Sequence, residues 1–144
     1  SLALHWSAAD PDDDWVVHTY IEQVLDATEP DSLLVVRGDG PTFALWYGIY
    51  VERPQAGVAV VSGPMLAFIW YRDQVRHLYP DLVVAEPSSE DVTIDDLTRD
   101  LILNNLPHRP VYVTDPAERW EPWFEFVKVE GVELYVPVPR PAQE

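Results

Sequence analysis

The chain has 144 residues, of which 47% are hydrophobic, and its 25 acidic residues against 9 basic ones give a formal net charge of -16. This length buries one core, so we interpret residues 1–144 as a single domain with loose ends at 1–9 and 139–144. The acidic balance argues against nucleic acid as a partner, and the lack of cysteine excludes thiol catalysis, disulfides and cysteine-bound zinc.

The first predicted helix begins in the acidic stretch Asp10–Asp14 and ends near Thr28. Asp10 is placed to cap this helix and Pro11 to take its first position, where a missing N–H costs no hydrogen bond. Carboxylates in the first turn also favour the positive end of the helix dipole. Apolar residues at helical spacing form its predicted buried stripe: Tyr20, Ile21, Val24 and Leu25.

A continuous apolar run, Leu33–Val36, is typical of a central parallel strand that is covered on both faces. The turn Gly38–Pro41 ends this strand. Aromatic residues then recur at helical spacing from Phe43 to Tyr50, which predicts a helix with an aromatic face. Strand, tight turn and helix together indicate the start of a βαβ unit.

The same order of elements repeats along the middle of the chain. Apolar runs predict three further strands, at Val58–Val61, Leu82–Ala85 and Val111–Thr114. A helix is predicted from Met65 to about Tyr79, where Pro80 follows. Its predicted buried face carries Phe68, Tyr71, Val75 and Leu78.

The tetrapeptide Thr93-Ile94-Asp95-Asp96 resembles a capping box and predicts a helix that ends near Leu106. The segment Phe126–Val138 instead alternates apolar with polar residues, which predicts a hairpin that turns near Gly131. We therefore expect an α/β fold. It would be a three-layer sandwich with a mainly parallel sheet of about four strands, helices on both faces and a C-terminal β-hairpin.

Polar residues stand at the carboxyl ends of the predicted strands, where open α/β sheets bind their ligands. Asp39, Ser62 and Asp115 occupy three such ends and would form the site of a small-molecule-binding or hydrolytic domain. Asp39 can instead simply cap the following helix, and we favour this interpretation. The sequence has no Gly-rich phosphate loop, no nucleophile elbow and no metal-ligand spacing among its four histidines. We therefore expect no catalytic residue, cofactor or metal.

Aromatic residues are in excess, with 6 Trp and 7 Tyr. Adjacent pairs occur in successive predicted helices, at Trp46-Tyr47 and Trp70-Tyr71. Exposed aromatic side chains can stack on sugar rings or anchor a protein contact. They suggest a homo-oligomerisation module as a further alternative, although we expect most of them to pack in the core.

Several short segments resemble the C-terminal part of the DUF2723 family, polytopic membrane proteins related to protein O-mannosyltransferases. The segments are Gly38-Asp39, Thr42–Tyr47, Arg53-Pro54, Trp70–Arg72 and Arg109–Val113. That family usually continues Gly-Asp with Asn-Asp, whereas this chain has Gly and Pro at those two positions.

The resemblance implies a non-catalytic accessory domain excised from a larger, multi-spanning membrane protein of the glycosyltransferase type. Catalysis would belong to the rest of that protein. The domain would lie outside the cytoplasm and contact the membrane-embedded part of the same polypeptide, an acceptor protein or a glycan. The candidate ligand-binding residues are Asp39, Thr42, Trp46, Tyr47, Trp70, Tyr71, Arg72 and Asp115.

Overall fold

A five-stranded sheet lies between two layers of helices in the computed structural model, which describes residues 13–54 and 56–141. The helices are α1 (Asp13–Ala27), α2 (Asp39–Tyr47), α3 (Ile69–Leu78) and α4 (Ile94–Asn105). The strands are β1 (Leu33–Val36), β2 (Ala59–Ser62), β3 (Val111–Val113), β4 (Phe124–Lys128) and β5 (Tyr135–Pro139). A π-helical turn extends α2, and two short 3-10 turns precede α3 and β4: Gly48–Glu52, Pro64–Ala67 and Glu118–Trp120.

β1 is the central parallel strand that its apolar sequence predicts. Its residues are all fully buried, and it pairs in parallel with β2 on one side and with β3 on the other. Successive side chains of a strand point to opposite faces. Leu33 and Val35 therefore pack with residues of α3 and α4, whereas Leu34 and Val36 pack with residues of α1 and α2. One short strand thus contributes to both hydrophobic cores.

α1 buries its predicted stripe, and it lies close to α2. A Cβ atom on Gly48 would come within 2.6 Å of Cγ2 of Ile21, so this contact requires glycine. The predicted cap, Asp10 with Pro11, lies outside the described residues. The buried residues of the stripe are Tyr20, Ile21, Val24 and Leu25.

The prediction of a mainly parallel sheet of about four strands is wrong. The sheet is mixed, with five strands in the order β2-β1-β3-β5-β4, and both β3–β5 and β5–β4 are antiparallel pairs. The C-terminal hairpin joins the main sheet, since β5 pairs with the side of β3 that β1 leaves free. Backbone N–H and C=O groups on that side of β3 would otherwise be unpaired. The fold is α/β with helices on both faces.

The prediction of a strand at Leu82–Ala85 is also wrong, since this segment is irregular. Side chains provide hydrogen-bond partners for its backbone N–H and C=O groups. The amide of buried Asn105 accepts from Val83 N and donates to Val83 O, both at 2.9 Å. Arg76 Nη2 donates to Val84 O at 2.7 Å. Branched residues predict a strand, but here their backbone groups find partners without joining the sheet.

α4 begins with the predicted capping box. Asp96 N donates to Thr93 Oγ1 at 3.1 Å, and Thr93 N donates to Asp96 Oδ2 at 3.0 Å. The helix predicted from Met65 is split, because Phe68 has extended backbone angles between the 3-10 turn and α3.

The chain remains structured at its C-terminal end as far as Arg140. β5 includes Pro139, and Arg140 N donates to Trp123 O at 2.8 Å. Residues 1–9, which we expected to be loose, lie outside the described residues. Within residues 13–54 and 56–141, no helix has the length and apolar character that crossing a membrane requires.

We expect Asn105→Ala to lower the free energy of unfolding by about 1 to 3 kcal/mol, since both backbone groups of Val83 lose their partner. Urea denaturation measures this loss. Asn104→Ala, in the exposed neighbouring residue, is the control and should change little. Equal effects of the two substitutions would contradict the role of Asn105.

Candidate functional site

β2 forms one edge of the sheet, so one side of its backbone has no neighbouring strand among residues 13–54 and 56–141. Aromatic side chains bind these groups instead. Trp46 Nε1 donates to Val60 O at 3.3 Å, and Ser62 N donates to the Tyr71 hydroxyl at 2.9 Å. These contacts block the pairing of β2 with a strand of another chain.

Ring contacts join the aromatic side chains around β2 into one surface. The ring centroids of Phe43 and Trp46 lie 5.7 Å apart, and those of Trp46 and Tyr71 lie 6.3 Å apart. Trp70 then contacts Tyr71 at 5.8 Å and Phe68 at 5.9 Å. We define the aromatic edge as Phe43, Trp46, Tyr50, Phe68, Trp70, Tyr71 and Tyr79.

Much of the aromatic edge is exposed to solvent. The exposed fractions are 64% for Phe43, 55% for Tyr50, 52% for Phe68 and 57% for Trp70. The prediction that Phe68 and Leu78 lie on the buried face of their helix is wrong, since Phe68 is 52% exposed and Leu78 is 44% exposed. Helical spacing shows which residues share a face of a helix, but it does not show which face contacts the sheet. α2 contacts the sheet through smaller side chains such as Leu45, which is fully buried.

A cavity of about 180 Å³ opens within the aromatic edge. The hydroxyl groups of Tyr50 and Tyr79 lie 3.5 Å apart at this cavity. An apolar cavity of roughly 150 Å³ can hold a benzene ring. The cavity therefore admits one aromatic or branched apolar group. Its lining includes Trp46, Met65, Trp70, Tyr71, Leu78 and Tyr79.

Two tyrosines at the cavity have shifted pKa values. Burial raises the pKa of Tyr71 from 10.0 to about 12, partly opposed by the hydrogen bond from Ser62. Burial, followed by the hydrogen bond with Tyr50, raises the pKa of Tyr79 above 10.0. Both hydroxyls are therefore neutral at physiological pH and act as hydrogen-bonding groups.

The structure brings together three of the predicted ligand-binding residues, Trp46, Trp70 and Tyr71, which all line the cavity. Tyr47 is 49% exposed on α2. Buried Thr42 donates its hydroxyl to Gly38 O at 2.6 Å, which indicates a structural role at the start of α2.

Arg72, another predicted ligand-binding residue, is a buried residue of α3. Its exposed fraction is 4%, and its Nη1 donates to Leu66 O at 2.6 Å. Its Nη2 donates to the carboxylate of Glu86 at 3.3 Å. Arg76, helped by Arg72, holds the pKa of Glu86 below its usual value. These contacts form an ion pair that connects α3 to the loop that follows it.

The alternative site of Asp39, Ser62 and Asp115 lies at the carboxyl edge of the three parallel strands. Ser62 is buried, and its Oγ accepts from Met65 N at 3.4 Å. Asp39 and Asp115 are exposed. None of the three lines the aromatic cavity, and their role in binding stays a prediction.

Among residues 13–54 and 56–141, no group of three or more His, Asp and Glu side chains is arranged to hold a metal ion. His18 forms an ion pair with Glu52.

Sequence reasoning missed four residues of the aromatic edge as site candidates: Phe43, Tyr50, Phe68 and Tyr79. Their spacing on the two predicted helices was visible in the sequence. Their convergence requires that α2 and α3 both flank the same edge strand, and this follows from the order of strands in the sheet.

A family model described as TMEM260-associated domain 2 matches residues 17–103. The matched region contains the whole aromatic edge. This description indicates that the domain is an accessory part of a membrane protein. No curated protein and no solved structure matches the chain.

This family match corrects the resemblance to DUF2723. The matching model is a different one, and it gives no support to a relation with protein O-mannosyltransferases or other glycosyltransferases. Short identities such as Gly38-Asp39 and Arg53-Pro54 recur by chance, so they carried less weight than a model that spans four helices and two strands.

We expect the free energy of unfolding to fall as the pH rises from 10 towards 12. Over this range the unfolded chain loses tyrosine protons that native Tyr20 and Tyr71 retain, because burial raises both pKa values to about 12. Urea denaturation across this range measures the fall.

Tyr71→Phe should make this fall shallower and should itself cost about 1 to 3 kcal/mol at neutral pH, since Ser62 N loses its acceptor. Tyr47→Phe, in an exposed tyrosine, is the control. An unchanged slope in Tyr71→Phe would show that Tyr71 does not contribute to the alkaline loss.

Proposed function

We propose that this chain, which belongs to the TMEM260-associated domain 2 family, is a non-catalytic accessory domain that docks through its aromatic edge on the membrane-embedded part of its own polypeptide. The observation that carries the proposal is the exposure of contiguous aromatic rings around an apolar cavity. Exposed apolar surfaces of this kind mark sites of protein or membrane contact.

The size of the aromatic edge supports a protein contact. Phe43, Tyr50, Phe68 and Trp70 are each more than half exposed. Since an aromatic side chain can bury roughly 150 to 250 Å², these four rings offer roughly 400 to 500 Å². A stable interface buries roughly 800 Å² per partner, so the edge would supply about half of one. Aromatic anchors beside a cavity are also typical of interface hot spots.

Charge favours a protein surface over a lipid surface as the partner. The chain has a formal net charge of -16. Anionic lipid headgroups would repel it, and the two arginines of α3, Arg72 and Arg76, are already paired with Glu86. Direct insertion of the edge into a bilayer is therefore less favourable than contact with protein.

Two carboxyl groups near the middle of the chain have structural roles. Hydrogen bonds from Arg76 and Arg72 hold the pKa of Glu86 below its usual value, and hydrogen bonds from Thr93 lower that of Asp96. Ion pairing and helix capping account for both shifts, so neither group is suited to act as a general acid, which requires a raised pKa.

Photo-crosslinking in the complete polypeptide, in native membranes, tests the proposed docking. A benzoylphenylalanine at Phe68 should crosslink to the membrane-embedded part, whereas one at Trp15, which is 74% exposed on α1, should not. Crosslinks from Phe68 to a second copy of the domain, to an acceptor protein or to a glycan would show that the proposed partner is wrong.

Substitution of Trp70 gives the quantitative form of this test. In a complex of the separately expressed domain and membrane-embedded part, Trp70→Ser should weaken binding at least about 10-fold, as expected for a hot-spot aromatic residue. Trp15→Ser is the matched control, because it removes an equally large exposed ring from another helix. Equal binding by both variants would refute docking through the aromatic edge.

We also propose that the domain lies outside the cytoplasm. The chain contains no cysteine, so Ser89→Cys introduces a single reporter thiol in an exposed loop. In intact cells expressing the complete polypeptide, a membrane-impermeant maleimide should label the Ser89→Cys variant more than it labels the polypeptide without this substitution. Labelling that requires permeabilised cells would place the domain in the cytoplasm.

A further inference from the structure

Two helical walls enclose the cavity of the aromatic edge above β2. Trp46 and Tyr50 stand four residues apart and form the wall contributed by α2 and its π-helical turn. The opposite wall belongs to α3, where Trp70, Gln74 and Leu78 recur at the same spacing. Both helices start near the carboxyl end of a parallel strand, so the two walls run in the same direction.

The cavity has an apolar end and a polar end. The rings of Trp46 and Trp70 both contact the ring of Tyr71, with centroids 6.3 Å and 5.8 Å from it. The hydroxyl groups of Tyr50 and Tyr79 instead lie 3.5 Å apart, in the wall that this cavity shares with a second cavity of about 400 Å³. Neither tryptophan lines the second cavity. Rings therefore enclose one end of the aromatic cavity, and hydroxyl groups mark the other.

The polar end retains hydrogen-bonding capacity. Oxygen atoms joined by a good O–H···O hydrogen bond lie about 2.5 to 3.0 Å apart. At 3.5 Å the hydroxyls of Tyr50 and Tyr79 bind each other only weakly. Tyr50 is 55% exposed, so an incoming group reaches its hydroxyl. Because a hydroxyl has one donor and two acceptor sites, the pair offers both a donor and an acceptor.

Charge and size define the group that fits this cavity. Its described lining contains no Asp, Glu, Lys, Arg or His, so a charged group would enter without a counter-charge. An apolar cavity of roughly 150 Å³ holds a benzene ring, and one water molecule occupies roughly 30 Å³ of liquid. A cavity of about 180 Å³ therefore has room for one six-membered ring that carries one hydroxyl group.

We infer that the cavity receives one tyrosine side chain of the docking partner. The ring lies against Trp46 and Trp70 at the apolar end, where aromatic contacts stabilise it. The phenol hydroxyl reaches Tyr50 and Tyr79, donating to one hydroxyl and accepting from the other. This inference rests on the proposed docking and names the partner's anchor residue, which belongs to a class enriched at interface hot spots.

Titration of the purified chain with p-cresol, the side chain of tyrosine, and with toluene, the side chain of phenylalanine, tests the inference. NMR of the Trp46 and Trp70 indole N–H signals reports binding at the cavity. Toluene leaves water more readily than p-cresol does, so apolar burial alone would favour toluene. We instead expect p-cresol to bind about 3- to 10-fold more tightly, because its hydroxyl gains partners that toluene cannot use.

Tyr50→Phe assigns the hydroxyl contact. This variant keeps the ring and removes one hydroxyl of the pair, so it should remove the preference for p-cresol. Tyr47→Phe is the matched control and should keep the full preference, since Tyr47 is exposed nearby on α2 and does not line the cavity. In the complex with the membrane-embedded part, Tyr50→Phe should also weaken binding about 3-fold relative to Tyr47→Phe.

Toluene binding as tightly as p-cresol, or an unchanged preference in Tyr50→Phe, would overturn the inference. Absence of any shift at the two indole signals would also overturn it. Equal docking by Tyr50→Phe and Tyr47→Phe, with the p-cresol preference intact, would assign the cavity to a free phenolic molecule and reject a partner tyrosine.

The proposed docking fails separately, when Trp70→Ser binds the membrane-embedded part as tightly as Trp15→Ser does. Loss of docking in Trp70→Ser without a preference for p-cresol would retain the proposed function and reject only the tyrosine anchor.

Discussion

The arrangement of the candidate site depends on the unpaired edge of β2. The outward backbone groups of Val60 and Ser62 have no strand partner and must be satisfied, because buried amide groups without hydrogen bonds are costly. Trp46 from α2 and Tyr71 from α3 bind these groups, which fixes both helices beside the same edge. The neighbouring rings on those helices, above all Phe43 and Trp70, are therefore held at the surface on either side of β2.

Aromatic residues thus have two separate roles at this edge. Trp46 and Tyr71 contribute polar atoms to the sheet, so they contribute to stability as well as to the cavity. The rings of Phe68 and Trp70 stack on each other, and both residues are more than half exposed. A change in Trp70 therefore alters the surface while the hydrogen bonds that protect β2 stay in place. Substitution of Trp70 can therefore test the role of the surface without disturbing the sheet.

Local sequence determined much of the secondary structure. Leu33–Val36 is apolar throughout because both of its faces are buried, and the capping box at Thr93 is a contact within four residues. The mixed sheet could not be predicted in this way, since the pairing of β5 with β3 depends on which side of β3 is free. Leu82–Ala85 has the composition of a strand, but Asn105, distant in sequence, satisfies its backbone. Exposure of Phe43 and Trp70 follows from the same long-range order.

Local ion pairs hold most of the arginines of this acidic chain. Arg72 is neutralised by Glu86, for example, and Arg99 by Asp96. Such pairs attract a distant anion weakly, because the two charges cancel within a few ångströms. The proposed docking therefore relies on apolar contact more than on charge, since the rings of Phe68 and Trp70 are more than half exposed while the nearby arginines of α3 are already paired.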